Sequence, residues 1–114
     1  MTTEIVPTQP RNPNYSQRTR LDGRDYLLRF LYNDRDCRWS ISIALDDGTP
    51  ILSGRRIVAG VDLLTGVSDS RKPPGRLVAI DLPAYGDTPQ TPRDPSFGDL
   101  GRPERVRLAY FGVL

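Results

Sequence analysis

The sequence predicts a mostly β protein, a small antiparallel partly closed barrel or two-layer sandwich of six or seven strands, and three observations carry that prediction. Glycine and proline, 10 and 11 residues, make 21 of the 114, which favours short strands and many turns over helices. Apolar residues alternate with polar ones at period two in several separate stretches. Turn-forming pairs such as Asp22-Gly23 and Asp47-Gly48 fall between those stretches.

Residues 1–14 carry Pro7, Pro10 and Pro13 among polar side chains, which disfavours both helix and central strand. They read as an extended N-terminal arm with Ile5 and Val6 as its apolar anchor, and residues 15–114 as a single β domain. A weak strand runs from Tyr15 to Leu21, and Asp22-Gly23 suits a type I′ hairpin. In the returning strand Tyr26, Leu28, Phe30 and Tyr32 share one face. Leu27, Arg29 and Leu31 share the other, so this strand is expected to be covered on both sides. Asn33 to Asp36 then supply a polar turn.

The sharpest strand signature follows, where Cys37, Trp39, Ile41, Ile43 and Leu45 alternate with Arg38, Ser40, Ser42 and Ala44. That alternation places Cys37 in the core as a small apolar residue. Pro50 fits the start or edge of a strand over Ile51 to Ser53. Gly54, Gly60 and Gly66 interrupt apolar pieces too short for a stable helix, so a bent or bulged strand and then a single helical turn are expected. Pro73-Pro74-Gly75 marks a loop before a strand from Arg76 to Leu82, with Val78, Ile80 and Leu82 facing inward. Residues 83–104 form a long Pro-rich loop, with Tyr85, Phe97 and Leu100 as points that could pin it to the body or to a partner. In the last strand Val106, Leu108 and Tyr110 alternate with Arg105, Arg107 and Ala109.

Histidine is absent and Cys37 is the single cysteine, which removes intramolecular disulfides, Cys/His zinc sites and histidine acid–base chemistry. The close acidic pairs, Asp34 with Asp36 and Asp46 with Asp47, sit at turns and read as turn chemistry rather than as metal or catalytic groups. No glycine-rich phosphate loop is present, since Gly98-Asp99-Leu100-Gly101 neither follows a strand nor opens an amphipathic helix. No catalytic residue, metal, cofactor or small-molecule substrate is therefore expected, and the chain reads as a non-enzyme. The net charge is +2 with both signs interspersed, which does not indicate nucleic-acid specificity. No apolar run is long enough to cross a bilayer, and the N-terminus lacks a signal-peptide pattern, so synthesis in the cytoplasm is expected.

Two features favour an interaction role. A 37% apolar content with a mean hydropathy of −0.47 leaves a thin core that would lean on loops or partners. Fifteen of the 16 basic residues are arginine, whose planar guanidinium suits partly dehydrated interfaces, although GC-rich codon usage would give the same bias.

Several segments also occur in a familiar order. They are Leu21-Asp22-Gly23-Arg24-Asp25-Tyr26 with Leu28 and Phe30, Tyr32-Asn33-Asp34-Arg35 with Trp39, and Asp47-Gly48-Thr49-Pro50-Ile51. Gly54, Val58-Ala59-Gly60-Val61-Asp62-Leu63-Leu64, Pro74-Gly75-Arg76-Leu77, Phe97-Gly98-Asp99-Leu100-Gly101 and Val106-Arg107-Leu108-Ala109-Tyr110 complete the series. The series resembles the small plug proteins of contractile-phage baseplates, represented by a cyanophage plug. The resemblance implies a structural virion component without catalytic residues, placed at the centre of the tail baseplate where hub, tail tube and spike proteins meet.

In that role outward arginines, first Arg29, Arg38, Arg55, Arg56, Arg105 and Arg107, would pair with carboxylates of neighbouring proteins, with Tyr85 and Phe97 as loop contacts. The alternative reading is a small β-barrel binding a carbohydrate or peptide, with Trp39, Tyr26 or Tyr85 as platform. It is disfavoured because alternation puts Trp39 on the apolar face.

Overall fold

The computed structural model describes residues 3–9, 12–68, 70–81, 100 and 106–112. Seven strands are present: β1 (Thr3–Ile5), β2 (Asn14–Leu21), β3 (Arg24–Asn33), β4 (Arg38–Leu45), β5 (Pro50–Arg56), β6 (Arg76–Asp81) and β7 (Val106–Phe111). They make a four-stranded sheet ordered β2-β3-β4-β5 and a three-stranded sheet ordered β1-β7-β6, both antiparallel. The arrangement is sandwich-like. Among the described residues there is no helix and no closed barrel, which decides between the two expected architectures and removes the helical turn expected after β5.

The first sheet is a meander whose turns follow from local chemistry. Asp22 and Gly23 take φ of 51° and 79°, the two consecutive left-handed residues that a type I′ turn requires. At the next turn the Asn33 carboxamide accepts hydrogen bonds from the amides of Arg35 and Asp36, and the loop closes through Cys37 at φ 52°. Cys37 is therefore a turn residue, exposed, and not part of the core as its alternation with Trp39 suggested. The period-two phase begins only at Arg38, where the ladder to Asn33 starts. The bulge expected near Gly54 is present: the register of β4 and β5 shifts around Ile43, and the freed Gly54 amide donates to Ser42 Oγ at 2.9 Å.

Between the sheets lies one core. Tyr15, Leu21, Tyr26, Leu28, Phe30, Trp39, Ile41 and Ile43 enter it from the four-stranded sheet, and Leu77, Ala79, Val106, Leu108 and Tyr110 from the other. Tyr15 stacks on Phe30 at 5.0 Å, and Trp39 meets Tyr15 and Tyr32 edge-on at 6.4 and 5.3 Å. The other face of β3 is not covered as expected, for Leu31 is 44% exposed and Arg29 is exposed beside it.

β6 runs in the opposite phase to the one its sequence suggested. Leu77, Ala79 and Asp81 are buried, whereas Val78 and Ile80 lie on the outer face and are half-buried; Leu82 is outside the described residues. Gly75 permits this phase, for a Cβ there would come within 2.1 Å of the Phe111 carbonyl oxygen and 2.9 Å of the Tyr110 ring. Only glycine fits at that crossing, and the ladder to β7 sets Leu77 opposite Tyr110 and Ala79 opposite Leu108.

The N-terminal arm is laid across both sheets. Thr3–Ile5 pairs with the edge of β7, where three residues before Pro7 suffice, and Val6 is buried with its amide bonded to the Leu108 carbonyl at 2.8 Å. Beyond Pro7 the arm turns to β2: the Gln9 amide donates to the Tyr15 hydroxyl at 2.8 Å and Gln17 Nε2 to the Pro7 carbonyl. Burial raises the Tyr15 pKa from its ordinary value, with the Gln9 hydrogen bond opposing the rise. Of the loop expected at 83–104 only Leu100 is described, buried, bridging Val106 and accepting a hydrogen bond from Thr8 Oγ1 at 2.9 Å.

Candidate partner interface

The two sheets turn chemically different outer faces to the surroundings. On the four-stranded sheet the outward positions are Ser16, Arg18 and Arg20 on β2, Leu27, Arg29 and Leu31 on β3, and Arg38, Ser40, Ser42 and Ala44 on β4. Register places Arg29 between Ser16 and Ser42, and Arg56 of β5 opposite Ser40. Arg29, Arg38 and Arg56 thus share one face, with Ser40, Ser42 and the exposed Leu31 among them. Arg29 Nη2 donates to Asn14 Oδ1 at 3.4 Å, and Arg56 lies 3.7 Å from the Asp36 carboxylate.

Arg55 and Arg107, also named from sequence, are not on this face. Arg55 aligns with Ile41 and its Nη1 donates to the Thr65 carbonyl, fastening the 57–67 segment to β5. Arg107 belongs to the three-stranded sheet and is half-buried. Tyr85, Phe97 and Arg105 lie outside the described residues.

Sequence reasoning passed over Arg18 and Arg20, which extend the arginine face along β2. Arg18 pairs with Asp46, and Arg20 lies 3.5 Å from Asp25. Their signal was the alternation Ser16, Arg18, Arg20 in a strand read as weak. These pairs are exposed, so water screens them, and they orient side chains more than they stabilise the fold.

Of the acidic pairs, Asp47 acts as a turn group, whereas Asp46 and Asp36 face Arg18 and Arg56, and the turn at 33–36 is capped by Asn33. Asp47 Oδ1 accepts the Thr49 amide at 2.9 Å, and this hydrogen bond holds its pKa below the usual carboxylate range. Trp39 and Tyr26 are fully buried, and the Tyr26 hydroxyl is used internally on the Arg71 carbonyl at 2.9 Å, so neither ring is a platform for a ligand.

A buried polar triad ties the sheets together. The Tyr110 hydroxyl donates to Asp22 Oδ2 at 2.5 Å and accepts from the Gly75 amide at 2.8 Å. Burial, and then the Asp22 carboxylate, raise the Tyr110 pKa far above that of a free phenol. This contact joins β7 to the β2–β3 turn, and nothing in the period-two pattern marks it.

The family model of the cyanophage baseplate Pam3 plug gp18 matches residues 3–113. The match takes in the arm, both sheets and the chain between β6 and β7. No curated protein matches the chain.

Proposed function

The chain belongs to the cyanophage baseplate Pam3 plug gp18 family, a family of structural baseplate plug proteins, and from that premise we propose that it is a plug at the axial centre of a contractile tail baseplate. In this reading it meets hub, tail tube and spike proteins, acts only through protein–protein contacts, and is made in the host cytoplasm before assembly. The family match over residues 3–113 carries the reading. The outer face of the four-stranded sheet supports it, because arginines gathered on one sheet face offer bidentate donors to carboxylates of neighbouring proteins.

Arg29, Arg38 and Arg56 are the first contacts to expect. Arg55 and Arg107 contribute from elsewhere on the surface, and Tyr85, Phe97 and Arg105 from the chain between β6 and β7. A structural plug has no need of a catalytic group. The carbohydrate- or peptide-binding alternative loses two of its three platform candidates, Trp39 and Tyr26, to burial, while the third, Tyr85, lies outside the described residues.

Quantitative mass spectrometry of whole virions and detached baseplates tests the proposal. A fixed low copy number in the baseplate fraction is the expected result. Recovery only from the soluble lysate would overturn it.

A further inference from the structure

We infer that the outer face of the three-stranded sheet is a second docking surface, taken by an apolar segment of a neighbouring baseplate protein that presents a carboxylate to Arg107. The inference rests on the baseplate reading.

Three strands place their outward residues in register. Ile5, Ala109 and Val78 form one row, Phe111 and Arg76 the row on one side, Arg107 and Ile80 the row on the other. The outer face of the four-stranded sheet mixes arginines and serines with Leu27 and Leu31; this one is apolar along its central row, where Ala109 is fully buried between Ile5 and Val78. Gly60, Arg76, Val78, Ile80 and Phe111 line an open groove of about 360 Å³. Two of the three large apolar side chains most open to solvent border the sheet: Ile5, 39% exposed, on β1, and Val61, 47% exposed, in the turn that carries Gly60.

Charge selects the occupant. Arg107 Nε is buried and has no hydrogen-bond acceptor among the described residues. Nε itself is closed to an atom the size of water, but Arg107 is only half-buried, and a carboxylate arriving at the open edge of the guanidinium would pair with its charge through a charge-assisted bond. On the opposite flank the Arg76 guanidinium sits 5.5 Å above the Phe111 ring, a second cation over the groove. No carboxylate lines the groove, so a second copy laid on the same face would bring cation against cation. An apolar segment with an acidic side chain meets both demands, and the apolar rows would shield the ion pair from water.

Footprinting of the free protein and of detached baseplates decides it. An arginine-directed dicarbonyl reagent reads Arg76 and Arg107, and hydroxyl radicals read Val78, Ile80 and Phe111. The expected result is that these residues react in the free chain and are protected about tenfold or more in baseplates, the scale of a buried interface contact. In parallel, Val78→Asp should fold with an unchanged circular dichroism spectrum, since Val78 points away from the core, and should fall about tenfold in copies per baseplate.

Equal reactivity in the two states, with the protein present in baseplates, overturns this surface and leaves the baseplate reading standing. So does protection already in the free chain, whether by residues 82–105 or by a second copy seen in sedimentation. Absence of the protein from baseplates overturns both. If Val78→Asp does not fold, the footprint alone decides.

Discussion

Removing one oxygen atom from Tyr110 should cost this protein a large part of its stability. The hydroxyl is the meeting point of two partners from distant parts of the chain, the Asp22 carboxylate at 2.5 Å and the Gly75 amide at 2.8 Å. Tyr110→Phe keeps the ring and its packing but strands the Gly75 amide in a buried position and deprives the carboxylate of its donor. A lost hydrogen bond to a charged acceptor costs about 1.5–3 kcal/mol and a stranded buried donor about 1–3 kcal/mol. Asp22 is half-buried and regains water, so a total of about 2–3 kcal/mol follows. For a domain of this size that is a fall in Tm of roughly 8–15 °C.

Urea unfolding with thermal scans measures the loss, and Asp22→Asn, which keeps an acceptor without the charge and tolerates the positive φ, should cost about half as much. The pH profile gives an independent reading. A raised folded-state pKa means the native protein holds the phenolic proton more tightly than the unfolded chain. The stabilisation is therefore complete below the ordinary tyrosine value of 10.0 and declines as pH rises beyond it. Tyr110→Phe should flatten that alkaline decline without abolishing it, because Tyr15 is raised too. A variant within about 0.5 kcal/mol of the parent, with the same alkaline slope, would refute the reasoning.

Three further outcomes follow from the same geometry. Gly75→Ala should fail to fold or lose more than about 3 kcal/mol in denaturant titration, because its Cβ would overlap the Phe111 carbonyl oxygen, a backbone atom that cannot move aside. Cys37→Gly should raise the urea midpoint, since relief of a left-handed penalty of about 1–2 kcal/mol outweighs the added freedom of the unfolded chain of about 0.4–1 kcal/mol. Asp47→Ala should flatten the acid limb of the stability profile: the carboxylate, held below its usual range by Thr49, stabilises the turn above the unfolded-state pKa and loses that effect as pH falls through the folded one. An unchanged acid limb would show that the Thr49 hydrogen bond is not coupled to folding.

Much of the four-stranded sheet was legible in the sequence because β4 has one apolar face and the turns carry their own chemistry. Trp39, Ile41 and Ile43 against Ser40 and Ser42 admit one phase only, and Asp22-Gly23 names its turn type. Cys37 misled because alternation cannot distinguish the last residue of a loop from the first of a strand; the φ of 52° decides that, and φ is not written in hydropathy. The arginine face was half legible, as Arg29 and Arg38 followed from alternation in β3 and β4. Arg55 and Arg56 were named together, and it is the ladder to Ser40 and Ile41 that assigns Arg56 and not Arg55 to this face.

β6 shows how a contact in the interior decides what the exterior offers. In the sequence Val78, Ile80 and Leu82 are more apolar than Leu77, Ala79 and Asp81, so hydropathy selects the phase the strand does not adopt. At Gly75 the Tyr110 ring and the Phe111 carbonyl leave no space for a side chain, and glycine at that crossing permits the observed phase. Ala79 then meets Leu108 across the ladder and Leu77 meets Tyr110, which fills the core, while Val78, Ile80 and Arg107 are turned outward together. The larger β-branched side chains thus lie on the surface in the phase that glycine at this crossing allows. A face assembled this way is apolar by consequence of packing, and among the described residues it is the more apolar of the two outer sheet faces.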